Sequence, residues 1–119
     1  MTKTVYAIDE LVAVPGKGRE LLEAYKARYV PGAEARGMTL DQVLVSPPVW
    51  LDEASNRLTI VWTVEGAPGW WGQATQGRYD PAVGAFWHSV EGLIASRHRH
   101  FAAAEDDVAR EHRSQRRNP

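Results

Sequence analysis

The chain contains no cysteine, which removes disulfides, thiolate metal sites and thiol nucleophiles from its available chemistry and is the usual condition of a cytoplasmic protein. Charge of one sign is also missing. Its 14 basic and 15 acidic side chains leave a formal charge of -1, so no strong field draws in nucleic acid or an anionic membrane, and neither partner is expected. No segment reaches the roughly 20 apolar residues that a membrane-spanning helix needs. The start, Met1-Thr2-Lys3-Thr4-Val5, lacks the apolar run of an export signal. The expectation is a soluble, unexported protein located in the cytoplasm. Phosphate-binding and hydrolase signatures are absent as well: Pro15-Gly16-Lys17-Gly18 does not have the spacing of a nucleotide loop, and none of Ser46, Ser55, Ser89, Ser96 and Ser114 sits in a Gly-x-Ser-x-Gly elbow. No cofactor is expected.

What the chain does have is tryptophan. Five of them, Trp50, Trp62, Trp70, Trp71 and Trp87, fall within one stretch of a 119-residue chain, with Tyr79 and Phe86 among them. An indole combines a broad apolar face with one N–H donor that wants a partner, so such a cluster suits a cavity for a flat or bulky organic molecule. The same residues also suit a core or a subunit interface. At 44% hydrophobic residues the chain can bury a single core, and we read one domain over residues 1–104. Residues 105–119, with Glu105-Asp106-Asp107 and a charged run to Pro119, read as a polar, flexible tail.

Residues 4–14 are apolar on both parities, the pattern of a strand covered on both faces. After the Pro15-Gly16 turn, Leu21, Leu22, Tyr25 and Tyr29 form a stripe at helical spacing, which predicts a helix packed on a sheet and interrupted at Pro31-Gly32. Leu40 to Val45 reads as a second strand ended by Ser46-Pro47-Pro48, with Val49-Trp50-Leu51 a possible short continuation. Arg57 to Glu65 alternates cleanly, turning Leu58, Ile60, Trp62 and Val64 to one face and Thr59 and Thr63 to the other, and should pair with strand two as an antiparallel hairpin. Pro68-Gly69-Trp70-Trp71 begins a short helical stretch, and Asp80-Pro81 supplies an N-cap and a first-turn proline for a helix to about Glu91. Beyond Gly92 the pattern fits helix and strand alike. Element order favours the strand, giving an α+β, ferredoxin-like βαββαβ domain with an antiparallel sheet.

With Tyr6 in its first strand, Val14-Pro15-Gly16-Lys17 before its first helix, and the runs Tyr29-Val30-Pro31-Gly32, Gly37-Met38, Ser46-Pro47-Pro48, Phe86-Trp87 and Ser96-Arg97-His98-Arg99-His100-Phe101, the chain resembles the dimeric α+β barrel superfamily. It is most similar there to small bacterial NIPSNAP-like proteins, over about residues 4 to 102. That resemblance implies a homodimer whose two sheets face each other as a barrel, with a pocket in each subunit between sheet and helices. It implies no single activity, since the superfamily holds monooxygenases, polyketide cyclases, lactone isomerases and haem-degrading enzymes. The asparagine that the haem-degrading branch carries in its first strand is missing here, and His88 with Tyr6 or Tyr79 matches the cyclase pair only loosely.

Among residues that carry chemistry, His88 stands beside Trp87 near a capped helix and is a candidate acid or base, against the plain reading of a half-exposed helix residue. Asp9 and Glu10 are carboxylates in an otherwise apolar strand; one must point outward or into a pocket, and Glu10 has Arg97 or Arg99 as candidate partners. Tyr6, Tyr25 and Tyr29 offer phenolic donors. His98 and His100 share a face if residues 96–101 are a strand, but no full set of metal ligands is visible, and the flanking arginines suit a solvated surface. The resulting expectation is a small cofactor-independent enzyme of cyclase, isomerase, lyase or monooxygenase type that acts on an aromatic or polycyclic hydrophobic molecule. His88, Asp9 and Tyr6 would be catalytic, and Trp50, Trp62, Trp70, Trp71, Trp87, Tyr25, Tyr29 and Phe86 would contact substrate. The alternative is a non-catalytic dimer that binds such a molecule.

Overall fold

In a computed structural model of the chain, residues 4–66, 72, 76–78 and 80–108 are described. Four strands form one antiparallel sheet in the order β2-β3-β1-β4, from β1 (Thr4–Ala13), β2 (Thr39–Ser46), β3 (Arg57–Glu65) and β4 (Ile94–Ala103). This is the α+β ferredoxin-like arrangement, in which β1 runs through the middle between β3 and β4. Period-two geometry decides which side chains face the helices. Ala7, Leu11 and Ala13 of β1 share that face with Leu58, Ile60, Trp62 and Val64 of β3, and all are buried. Each of the larger ones contributes roughly 1.5–3 kcal/mol by leaving water. The opposite face, with Tyr6, Ile8, Glu10 and Val12, is half-buried.

The first helical segment differs from expectation in an informative way. Helix α1 (Gly18–Ala24) widens into a π-helical turn (Tyr25–Tyr29) and continues as α2 (Val30–Ala35) straight through Pro31. Proline at position 31 has no N–H for the carbonyl four residues earlier, and its ring would crowd that carbonyl. The helix absorbs the misfit just before the proline, where Val30 N–H reaches back five residues to the Tyr25 carbonyl. The insertion leaves both Tyr25 and Tyr29 on the sheet-facing side, buried, with ring centroids 4.9 Å apart.

Helix α3 (Pro81–Ser89) begins as the sequence predicts: the Asp80 side chain accepts a hydrogen bond from Ala82 N–H at 2.9 Å, and proline stands in the first turn. It ends two residues short of Glu91, where a 3-10 turn (Glu91–Leu93) leads into β4. Residues 94–103 are thus strand, as element order required. Residues 49–51 bend instead of extending β2. They are held by Asn56, whose buried side chain accepts from Leu51 N–H at 3.0 Å and donates to the Val49 carbonyl at 2.9 Å. Gly16 lies under the same loop with φ 81°, and a Cβ there would stand 2.5 Å from the Asp52 carbonyl oxygen, so only glycine fits. Of the polar tail, residues 105–107 form a short 3-10 turn. The helical stretch expected from Pro68 to Trp71 lies outside the described residues. None of the described helices is long and apolar enough to cross a membrane.

Candidate functional site

Antiparallel pairing of β1 with β4 sets Asp9 opposite Arg99 and Leu11 opposite Arg97 on the helix-facing side. Asp9 is 3% exposed in an otherwise apolar layer, so its charge must be matched locally. Arg99 does this with a two-pronged contact, Nε donating to Oδ1 at 2.5 Å and Nη2 to Oδ2 at 2.7 Å. The Tyr25 hydroxyl adds a third bond, donating to Oδ2 at 2.7 Å, and itself accepts from Trp62 Nε1 at 2.7 Å. Burial, reinforced by the neighbouring Asp9 charge, pushes the Tyr25 phenol far above its usual titration range. Burial opposes the Arg99 cation, but its hydrogen bonds to Asp9 and the carboxylate's charge outweigh that, and the net direction is upward.

The network continues to Tyr29. Its hydroxyl accepts from Arg99 Nη2 at 2.9 Å and from Arg36 Nη2 at 3.3 Å. Two guanidiniums therefore donate to one phenolic oxygen. Among the described residues no acceptor takes the proton of that hydroxyl, and Tyr29 borders an adjoining space. That space is a cavity of about 520 Å³ between sheet and helices. Tyr29, Asp9 and Arg99 stand on its polar side, and Leu11, Val83, Trp87 and Phe101 give it apolar walls. Its size and mixed lining suit a small organic molecule. Arg36, Arg78 and Arg97 also line it, and the Arg97 guanidinium lies 4.1 Å above the Trp87 ring.

The residues singled out from the sequence divide into distinct groups in the fold. Asp9, Tyr29 and Trp87 line the cavity. Tyr25, Trp62 and Phe86 are buried behind it, where Tyr25 packs edge-on against Phe86 with centroids 6.1 Å apart and Trp62 anchors the Tyr25 hydroxyl. Trp50 packs partly buried against the core. Tyr6 projects from the other face of the sheet, opposite Thr63 and Ala102. His88 is not among the cavity residues. Its side chain is 82% exposed, it faces Glu91 at 3.6 Å, and it borders a separate, shallower depression beyond Trp87. Trp70, Trp71 and Tyr79 lie outside the described residues. His98 and His100 stack at 5.6 Å, and among the described residues no group of three or more histidine and carboxylate side chains is placed to hold a metal ion.

The arginines are what the sequence reading missed. Arg97 and Arg99 read as solvated strand residues, and Glu10 as a partner for one of them; in the fold Glu10 pairs with Arg57 at 3.1 Å, and Asp9 takes Arg99. The signal was present in the alternation Arg97, Arg99, Phe101, which puts two cations on the same parity as a buried carboxylate once β4 is laid beside β1. Arg36 carried no local signal, since it follows the last residue of α2 and reaches the site only through the helix packing.

No protein-family model matches the chain, and no curated protein does. Its fold is nevertheless that of NIPSNAP proteins of known structure. A NIPSNAP domain protein from Burkholderia xenovorans is 14% identical, with a TM-score of 0.66 over 89% of this chain and 99% of that one. A NIPSNAP family protein of unknown function from Agrobacterium tumefaciens is 12% identical, with a TM-score of 0.67 over 86% of this chain and 88% of that one. A NIPSNAP-like domain protein, also from Burkholderia xenovorans, is 8% identical, with a TM-score of 0.69 over 91% of this chain and 90% of that one. At these identities the likeness extends to the fold, and the site must be read from this chain's own residues.

Proposed function

We propose that the protein is a small, cofactor-independent enzyme of isomerase or cyclase type that acts on an aromatic or polycyclic molecule bound in the cavity between sheet and helices. One observation carries this reading: Tyr29, its hydroxyl bonded by Arg99 and Arg36, lines a space walled by Trp87, Phe101 and Val83. A ring system packs against those walls while a carbonyl oxygen on it accepts the Tyr29 proton in a hydrogen bond. As a neighbouring C–H is lost, negative charge gathers on that oxygen, and two cations already held at Tyr29 stabilise it without rearranging. Asp9 is the carboxylate of the site and the candidate acceptor of the carbon-bound proton. Arg99 and Tyr25 fix its orientation.

The test is exchange. The protein is incubated in deuterated buffer with ketones from 2-tetralone to steroidal 3-ketones, and deuterium at the acidic carbon is followed by mass spectrometry. Catalysed incorporation that is lost in Tyr29→Phe supports the enzyme. A second reading, a non-catalytic dimer that holds the same kind of molecule, draws on the engagement of Asp9 by three donated bonds and on the exposure of His88. It predicts a retained ketone with no incorporation and no product. Under either reading the half-buried outer face, with Tyr6, Ile8 and Val12, is where a second copy would pack, and light scattering in solution decides between monomer and dimer.

A further inference from the structure

The cavity contains more positive charge than the fold itself uses. Among the described residues four arginines line it, Arg36, Arg78, Arg97 and Arg99, together with one carboxylate, Asp9. Arg99 is matched by the Asp9 carboxylate and also donates to Tyr29. Arg36 is matched more loosely. Its side chain is only 7% exposed, yet among the described residues its one hydrogen bond is the 3.3 Å contact to Tyr29. Its Nη1 forms a long ion pair with Asp80, at 3.8 Å, and among the described residues its buried Nε has no acceptor. A guanidinium has five N–H donors, and a buried cation so poorly matched is costly unless an anion completes its surroundings. Arg97, across the cavity mouth, rests on the Trp87 ring and pairs with no carboxylate among the described residues.

We infer that the ligand of this cavity is an anion, an aromatic or polycyclic carboxylate whose oxygens are held by Arg36 and Arg97 while its ring system packs against Trp87 and Phe101. The inference deepens the aromatic-ligand reading above and rests on it. An arginine fork presents two parallel donors at carboxylate spacing, and a guanidinium already stacked on an indole is ordered before the ligand arrives. The neutral walls supply affinity for the rings, and the loosely paired Arg36 and Arg97 supply selection for charge. The same arrangement explains why a pocket for a hydrophobic molecule carries arginine on several sides.

The experiment is calorimetric titration of the full chain with 2-naphthoate and anthracene-2-carboxylate against their methyl esters, at low and high salt. Each acid should bind at least about tenfold more tightly than its ester, the scale of one well-placed charged contact, and the advantage should shrink with salt. In Arg97→Gln, a change at an exposed strand position, the acid should lose most of its advantage over the ester. Arg36→Met should do the same. If the Arg36 variant does not fold, the Arg97 variant decides. Acid and ester binding with equal affinity would overturn the anionic ligand and leave the aromatic cavity standing. Failure of acids and esters alike to bind would overturn both.

Discussion

Replacing Asp9 tests the polar centre of the fold most sharply. Asp9 is 3% exposed, accepts three hydrogen bonds, and is the only carboxylate within ion-pair reach of Arg99 among the described residues. Asp9→Leu strips the Arg99 cation of its counter-charge and the Tyr25 hydroxyl of its acceptor at once. Removing one partner of a buried pair costs about 3–5 kcal/mol, chiefly the penalty of the charge left behind. Against a total stability of about 5–15 kcal/mol for a domain, that is a large fraction, and it lowers the melting temperature by on the order of 15–25 °C. Arg99→Met should cost a similar amount for the mirror-image reason. The double variant should cost less than the sum of the two by at least about 2 kcal/mol, because neither charge remains to be stranded. Urea unfolding of the four proteins gives all the terms of this cycle. Single costs below about 1 kcal/mol that simply add would refute the argument, since an exposed, screened pair behaves in that way.

Tyr25 predicts an alkaline limit. Its phenol holds its proton more tightly in the folded protein than the ordinary value of 10.0, so the stability it confers is complete below about pH 10 and declines as pH rises beyond it, by about 1.4 kcal/mol per pH unit. Urea midpoints from pH 9 to 11 should fall less steeply in Tyr25→Phe than in the wild type; equal slopes would contradict the assignment. Asn56→Ala should destabilise by about 1–3 kcal/mol, since it leaves the Leu51 N–H and the Val49 carbonyl without their partner, as thermal unfolding will measure. His88→Ala should change neither stability, by more than about 0.5 kcal/mol, nor the affinity for 2-naphthoate, because the side chain is exposed and faces Glu91. A lost affinity would bring His88 into the site after all.

Several features were readable before the fold was known because they are local. The alternation of Leu58, Ile60, Trp62 and Val64 reports directly on a strand with one buried face, and Asp80-Pro81 reports on a helix start, since capping acts over a few residues. Residues 93–102 are ambiguous in the sequence because a charged strand at a sheet edge need not alternate in hydrophobicity. Only the demand for a fourth strand resolved it. The π-helical turn left no pattern of its own; Pro31 announced a misfit, and the packing of Tyr25 and Tyr29 determined where it was absorbed. The candidate site was least legible where it depends on chain crossings. Tryptophan pointed to the region, and Trp87 does line the cavity. The partnership of Asp9 with Arg99, 90 residues away, is fixed by strand order, which no local window contains.

The cavity beside Trp87 is observed directly through the indole N–H resonances. In titrations of the labelled protein with 2-naphthoate and its methyl ester, the Trp87 signal should shift saturably with at least one of them. The Trp62 signal should move less, because that indole is fully buried and bonded to Tyr25. A Trp87 resonance that stays fixed with both compounds at saturating concentration, while other signals shift or none do, would contradict the assignment of this cavity as a binding site.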